Sequence, residues 1–229
     1  MPGYTYESAI RDLVIQKQVT IRDTSSLEED LKTREGQLKL ALGWASGEKN
    51  YSLKGVDLSA QNLQGADLSG ADLSEADLRE TDLSGANLSE ANLTRANLFR
   101  ANLRGAKLRK AKIPDAYMRE INLEQADLSG SSLQRSNLRG AFMDHAILYR
   151  VDLEEANLKT VDLRYSNLRE SYLKETSLEG AKLEDVQLHG ALLIRTNFAN
   201  ADIDPREYSQ ARIIENIVLP SGQTYNEAK

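Results

Sequence analysis

The chain has 229 residues, of which 40% are hydrophobic and 28% charged, and its formal net charge is −6. This acidic balance argues against general nucleic-acid binding, which draws on a surplus of Lys and Arg. Cysteine is absent, which excludes disulfides and thiolate sites, and neither a leader-type start nor a run of 18 apolar residues occurs, so we expect a cytoplasmic protein.

Residues 1–50 are expected to form an N-terminal helical cap. A first helix is indicated by apolar residues on one helical face, which are Tyr6, Ile10, Leu13 and Val14. The segment VTIRD at 19–23 resembles a short strand, and Ser26 to Glu29 has the spacing of a capping box. A second helix is predicted to follow as far as about Ser46.

The second predicted helix has two candidate buried flanks. One is an apolar stripe made of Leu27, Leu31, Leu38, Leu42 and Ala45, and the other contains Leu40 and Trp44. Two interpretations of Trp44 remain open. It packs where the helix meets the next segment, or it contacts a partner or a second copy.

A five-residue repeat occupies residues 51–203. Leu or another apolar residue recurs at every fifth position from Leu53 to Ile203, through 31 consecutive repeats, and the residue two places earlier is small. The consensus is A(D/N)LSx, as in residues 66–70. A period of five would scatter the leucines around a helix and alternate them across a straight strand, so neither element explains it.

The pattern is satisfied if each repeat is a short extended piece followed by a corner. The small residue and the Leu then point inward, and four repeats close one square coil. All glycines between residues 55 and 190 lie two places after the central apolar residue, where a corner needs tight or positive-φ backbone. Asp or Asn before the Leu is expected to bond backbone at the bend and to stack in ladders.

This tandem A(D/N)LSx sequence resembles the pentapeptide-repeat family. The resemblance implies an all-β solenoid, a right-handed quadrilateral parallel β-helix, here of about eight coils with its α-helical N-terminal cap. Members of the family include proteins that protect topoisomerases by resembling duplex DNA and regulators of heterocyst development in cyanobacteria.

Residues 204–229 are expected to form a C-terminal cap and tail. Asp204, Pro205 and Glu207 are typical of a helix start, and a single helical turn is predicted. The repeat register is expected to return at Ile213, before a turn at 220–222, and residues 223–229 are expected to fray. The ending DPREYSQA followed by LPSG is similar to endings of cyanobacterial pentapeptide-repeat proteins.

The sequence predicts a protein without catalytic activity. A shaft filled with leucine offers no concave site along its length, and the two histidines, His145 and His189, fall on outward positions of different faces. The regular Asp spacing follows from the repeat itself. We therefore expect no cofactor and no metal site.

Charge changes along the repeat in a way that the consensus does not require. Residues 57–92 carry eight acids and one base, whereas residues 91–113 carry no acid and seven bases. These bases are the candidate partner-binding residues: Arg95, Arg100, Arg104, Lys107, Arg109, Lys110 and Lys112. We call them the basic belt.

Three interpretations of these charges and of the shaft stay open. The charges serve solubility alone, or the basic belt binds an acidic protein partner, or it contacts another copy through the ends or caps of the shaft. We favour a non-catalytic interaction scaffold. The alternative is a DNA mimic that protects or inhibits a type II topoisomerase such as DNA gyrase, for which the belt interrupts the expected acidic surface.

Overall fold

The fold is a stack of coils in which residues 20 apart lie side by side. A computed structural model describes residues 32–47, 49 and 51–226. Parallel bridges join Asp57 to Asp77 and continue at the same spacing along every face as far as Lys182 and Asp202. Each coil therefore contains four five-residue repeats, as the sequence predicted.

Backbone hydrogen bonds between coils follow one scheme throughout the stack. The Leu68 N–H donates to the Asn87 carbonyl at 2.8 Å, and the Asn87 N–H donates to the Ala66 carbonyl at 2.9 Å. Each face contributes a single paired residue before the chain turns, so the pairings are isolated bridges and not long strands. Leu68, Leu88, Leu108 and Leu128 are fully buried, which confirms the predicted interior position.

The corners between faces are tight turns. The Ala71 N–H donates to the Leu68 carbonyl at 3.1 Å, and Gly70 between them has φ of 69°. Every fifth residue from Gly55 to Asn200 likewise has positive φ, the conformation that a type II turn needs at its third residue. The predicted corner position is thus confirmed.

Helix α1 spans Arg34–Ala45, and its N-cap Thr33 accepts a hydrogen bond from the Gly36 N–H at 3.0 Å. The backbone of Thr33 is extended, so α1 begins only at Arg34. The prediction of one helix that begins at the capping box at 26–29 and continues to Ser46 is therefore wrong. The box itself, the first helix and the strand at 19–23 lie outside the described residues.

The flank of α1 that contains Leu40 and Trp44 is its buried side, and Leu38 of the predicted apolar stripe packs against the same core. Leu40, Ala41 and Trp44 are buried, whereas Leu42 is 46% exposed. Trp44 packs edge-on against Tyr51, with ring centroids 6.1 Å apart, which favours the packing interpretation of this residue.

Side chains of α1 bond the free edge of the first coil. In later coils the N–H at the Asp57 position donates to the coil before it, as Asp77 donates to Val56. Here the Asp57 N–H donates to the Gln37 side-chain oxygen, and Arg34 donates to the Ser59 carbonyl. The helix thus supplies partners that a preceding coil would otherwise provide.

The regular strands lie at the C-terminal end of the stack of coils. Strand β1, Leu192–Ile194, pairs in parallel with β2, Ile213–Glu215, and between them lies the one-turn helix α2, Pro205–Tyr208. Asp204 and Glu207 form a capping box at the start of α2, which confirms the predicted helical turn.

The repeat register does not return as predicted after α2. Residues now pair at a spacing of 21, so Ile214 is buried and Ile213 is exposed. Strand β3, Ile217–Val218, then pairs antiparallel with β4, Thr224–Tyr225. The expected fraying from residue 223 is therefore wrong for Thr224 and Tyr225. The division into 1–50, 51–203 and 204–229 stays a prediction.

Candidate interaction surface

The interior of the shaft holds side chains that are already satisfied. Where Thr or Ser replaces the small inward residue, its hydroxyl donates to a backbone carbonyl, as Thr81 does to Leu58 at 2.8 Å. Over the described residues, no group of three or more His, Asp or Glu side chains is placed to hold a metal ion. The surface is therefore where interactions with other molecules must be sought.

The two histidines lie on the surface, as predicted. His145 is exposed and its Nδ1 is 3.2 Å from the Asp144 carboxylate. Its ring lies over that of Tyr165, with centroids 5.1 Å apart. His189 is exposed two coils later, in the column of the adjacent corner that contains Tyr149.

The acids of the N-terminal coils form ladders with amides of the next coil. The Asn87 side chain donates to Asp67 at 3.0 Å, and the Asn102 side chain donates to Asp82 at 3.1 Å. The Ser69 hydroxyl and then the Ser69 N–H lower the pKa of Asp67. The excess of Asp over Asn in these coils thus has a structural explanation, because an Asp accepts from the Asn stacked on it.

Four arginines of the basic belt are paired with acids of neighbouring coils. Arg109 lies 2.5 Å from Asp127, Arg100 lies 2.7 Å from Glu120, and Arg95 lies 3.8 Å from Glu75. Arg104 pairs with Glu124. The uninterrupted run of bases in the sequence is therefore not an uncompensated positive surface.

The three lysines of the belt differ from its arginines. Lys107, Lys110 and Lys112 are exposed, and within the part of the chain that the structure describes none of them has an ion pair. Lys107 and Lys112 occupy bridged positions on adjacent faces of one coil, and Lys110 lies between them at positive φ. The structure thus brings together three of the seven predicted residues as free charges, and we call them the lysine corner.

A second surface feature was missed from the sequence. Phe142, Ile147 and Tyr165 are 50%, 40% and 41% exposed. Phe142 and Ile147 stand at positions that the consensus gives to Asp or Asn, and this departure was the available signal.

No helix among residues 32–47, 49 and 51–226 is long and apolar enough to cross a membrane.

Comparison with known proteins identifies the repeat. The family model described as pentapeptide repeats matches residues 52–113 and 116–204, about two thirds of the chain, with eight copies. Comparison with curated protein sequences gives no match.

The structure also resembles solved structures. Full-length QnrB1, a plasmid-mediated fluoroquinolone resistance protein, is 19% identical with a TM-score of 0.62, over 72% of this chain and 84% of QnrB1. A trypsin-treated form of QnrB1 is 18% identical with a TM-score of 0.63, over 72% and 83%. HetL from the cyanobacterium Nostoc sp. strain PCC 7120, a pentapeptide repeat protein involved in heterocyst differentiation regulation, is 27% identical over 80% and 96%, with a TM-score of 0.31. Given the family match, the 20-residue coil and the fold shared with QnrB1, the chain belongs to the pentapeptide-repeat family.

Proposed function

We propose that this protein is a non-catalytic scaffold whose lysine corner binds an acidic segment of a partner protein. The observation that carries the proposal is that Lys107, Lys110 and Lys112 are exposed and, in the described part of the chain, without ion pairs. The arginines beside them are already paired. Free ammonium groups grouped on one coil provide a local positive potential on a protein whose net charge is −6.

The coil geometry supports a rigid binding surface. Backbone hydrogen bonds fix Lys107 and Lys112 to the coils on both sides, because each is bridged to residues 20 before and 20 after it. The positions of the three Cα atoms are therefore set before binding, and little backbone entropy is lost when a partner docks. A flexible acidic segment can cross this corner and contact all three lysines.

The finer features of the scaffold belong to the same proposal. We expect the coils to be right-handed and four-sided, as in the family, and we expect α1 to serve as the N-terminal cap. An absence of catalysis and a cytoplasmic location are likewise expectations from the sequence.

The direct test is binding of a fluorescein-labelled oligoglutamate peptide, measured by fluorescence anisotropy. We compare the wild type with Lys107→Gln, Lys110→Gln and Lys112→Gln combined, and with a matched control in which Arg95, Arg100 and Arg104 are changed to Gln. The lysine variant should lose about tenfold or more in affinity, and wild-type binding should weaken with salt. Equal losses in both variants, or binding that ignores salt, would refute the proposal.

DNA mimicry ranks second. It has one observation in its favour, the fold shared with QnrB1, a plasmid-mediated fluoroquinolone resistance protein, but at 19% identity that likeness extends to the fold alone. Against it, acids of the N-terminal coils are paired within the chain, as Asp77 is with Arg79 at 2.5 Å and Asp67 with Lys49 at 3.5 Å. Inhibition of topoisomerase supercoiling that becomes stronger in the lysine variant would reverse this ranking.

A further inference from the structure

An exposed apolar patch lies two coils beyond the lysine corner. Phe142 and Ile147 stand on adjacent faces of one coil, and Tyr165 lies at the corner of the next coil, stacked on His145. All earlier residues in the bridged column of Phe142 are Asp or Asn, namely Asn62, Asp82, Asn102 and Asn122. Phe142 ends this ladder, and Ile147 follows Asp127 in the column of the adjacent face, so apolar surface is exposed where the repeat would allow a polar residue.

Charges of both signs are stacked along the corner that separates Phe142 from Ile147. Five stacked residues, each 20 after the last, read Arg104, Glu124, Asp144, Arg164 and Glu184, and Asp185 follows the last of them. Asp144 shares the coil of the apolar patch. Two coils before it the corner is positive, and two coils after it the corner is negative.

On either side of Asp144, this sequence of charges is complementary for two antiparallel shafts. A two-fold axis through the coil of Asp144 brings a residue of one copy opposite the residue equally far on the other side in its partner copy. Arg104, which is paired with Glu124 in its own chain, then also faces Glu184 and Asp185. Glu124 faces Arg164, which is paired with Asp162. The apolar patches meet at the axis, where Asp144 of each copy lies opposite Asp144 of the other.

We propose that two copies of this chain associate side by side and antiparallel, through the corner between Phe142 and Ile147 and the face that carries Ile147. A two-fold contact uses the same surface on both copies, and in this arrangement the charges one and two coils away from Asp144 meet charges of opposite sign. The contact spans five coils, about 19 Å at roughly 4.8 Å per coil.

The rest of this face does not oppose the arrangement. On the face of Ile147, Asp127 would meet Asn167 and Lys107 would meet Gln187, so no like charges face each other. Glu184 and Asp185 have no ion pair in the described ranges, so both are available to Arg104 of a second copy. The Glu184 carboxylate raises the pKa of the Tyr165 hydroxyl.

The first test is sedimentation velocity of the full chain over a range of concentrations. We expect a dimer that dissociates on dilution. Phe142→Asn with Ile147→Asn should raise the dimer dissociation constant at least about tenfold, while the thermal melt is kept, because Asn is the residue that this chain places at the same positions of other coils, such as Asn122 and Asn167. A monomer at all concentrations, or a dimer indifferent to this change, overturns the proposal.

The second test is a charge reversal that distinguishes this geometry from other dimers. Arg104→Glu alone should weaken the dimer, as should Glu184→Lys with Asp185→Lys, and the three changes together in one chain should restore it. Arg139→Glu, at an exposed position on another corner, is the matched control and should leave the dimer intact. Failure of the combined variant to recover overturns the antiparallel arrangement. Neither test involves the oligoglutamate peptide or changes Lys107, which lies both in the lysine corner and in the proposed contact, so the outcomes of the two proposals are measured separately.

Discussion

At the scale of the residue, the position within the five-residue unit decides the environment of a side chain. The inward positions were predictable from the sequence, because only a buried column explains an apolar residue at every fifth position. The positive φ of Glu75 and Arg100 was not predictable from those residues alone. Charged L-residues disfavour this conformation, so the backbone bonds to the neighbouring coils impose it.

Leu128 tests the interior assignment. Its side chain is fully buried and its N–H donates to the Ile147 carbonyl of the next coil at 2.8 Å. Leu128→Ala should lower the free energy of unfolding by about 2 to 5 kcal/mol, since it removes buried contacts and leaves a cavity. Urea unfolding measures this loss, and Leu42→Ala in the exposed part of α1 is the control, with little expected change. An unaltered midpoint for Leu128→Ala would show that the interior assignment is wrong.

At the scale of the element, the sequence predicted an element correctly where residues within that element determine its structure. The turn of α2 was predicted because Asp204 and Glu207 satisfy each other's backbone. For α1 the sequence left two flanks open, because the choice of Leu40 and Trp44 depends on packing against the edge of the first coil. The exposure of Ile213 was missed because the segment that contains α2 shifts the spacing between paired residues from 20 to 21.

The Asp and Asn ladders make stability depend on pH. The Ser84 N–H and then its hydroxyl lower the pKa of Asp82 below the usual 3.8. Because the folded pKa lies below the unfolded one, the ionised Asp82 stabilises the fold above about pH 4. That contribution is lost as pH falls through the folded pKa.

Asp82→Asn separates the ladder from other acid effects. The Asn oxygen can still accept from Ser84 and Asn102, so the fold should persist, while the stability at pH 6 minus that at pH 2 should become smaller. Urea unfolding between pH 2 and pH 6 measures this difference. An identical pH dependence in the variant and the wild type would remove Asp82 from the explanation.

At the scale of the whole molecule, the basic belt divides into two groups. Its arginines are paired with acids of neighbouring coils, and its three lysines have no ion pair within the described residues. The pairing of Arg100 with Glu120, 20 residues away, could not be read along the chain because the two residues are neighbours only after coiling. The lysine corner and the exposed apolar patch of Phe142, Ile147 and Tyr165 remain as surfaces for other molecules. Both depend on stacking at a spacing of 20, and that stacking is the central structural claim.

The most direct measurement of this claim is disulfide formation between engineered cysteines in a chain that has none of its own. Asn137 and Asn157 are bridged on adjacent coils, and their Cα atoms should lie roughly 4.8 Å apart, within the range of a disulfide, about 4.4 to 6.8 Å. Asn137→Cys with Asn157→Cys should therefore oxidise readily. Asn137→Cys with Ile147→Cys, nearer in sequence but on the opposite face, should remain reduced in the folded protein. Oxidation of the second pair and not the first would contradict the four-repeat coil.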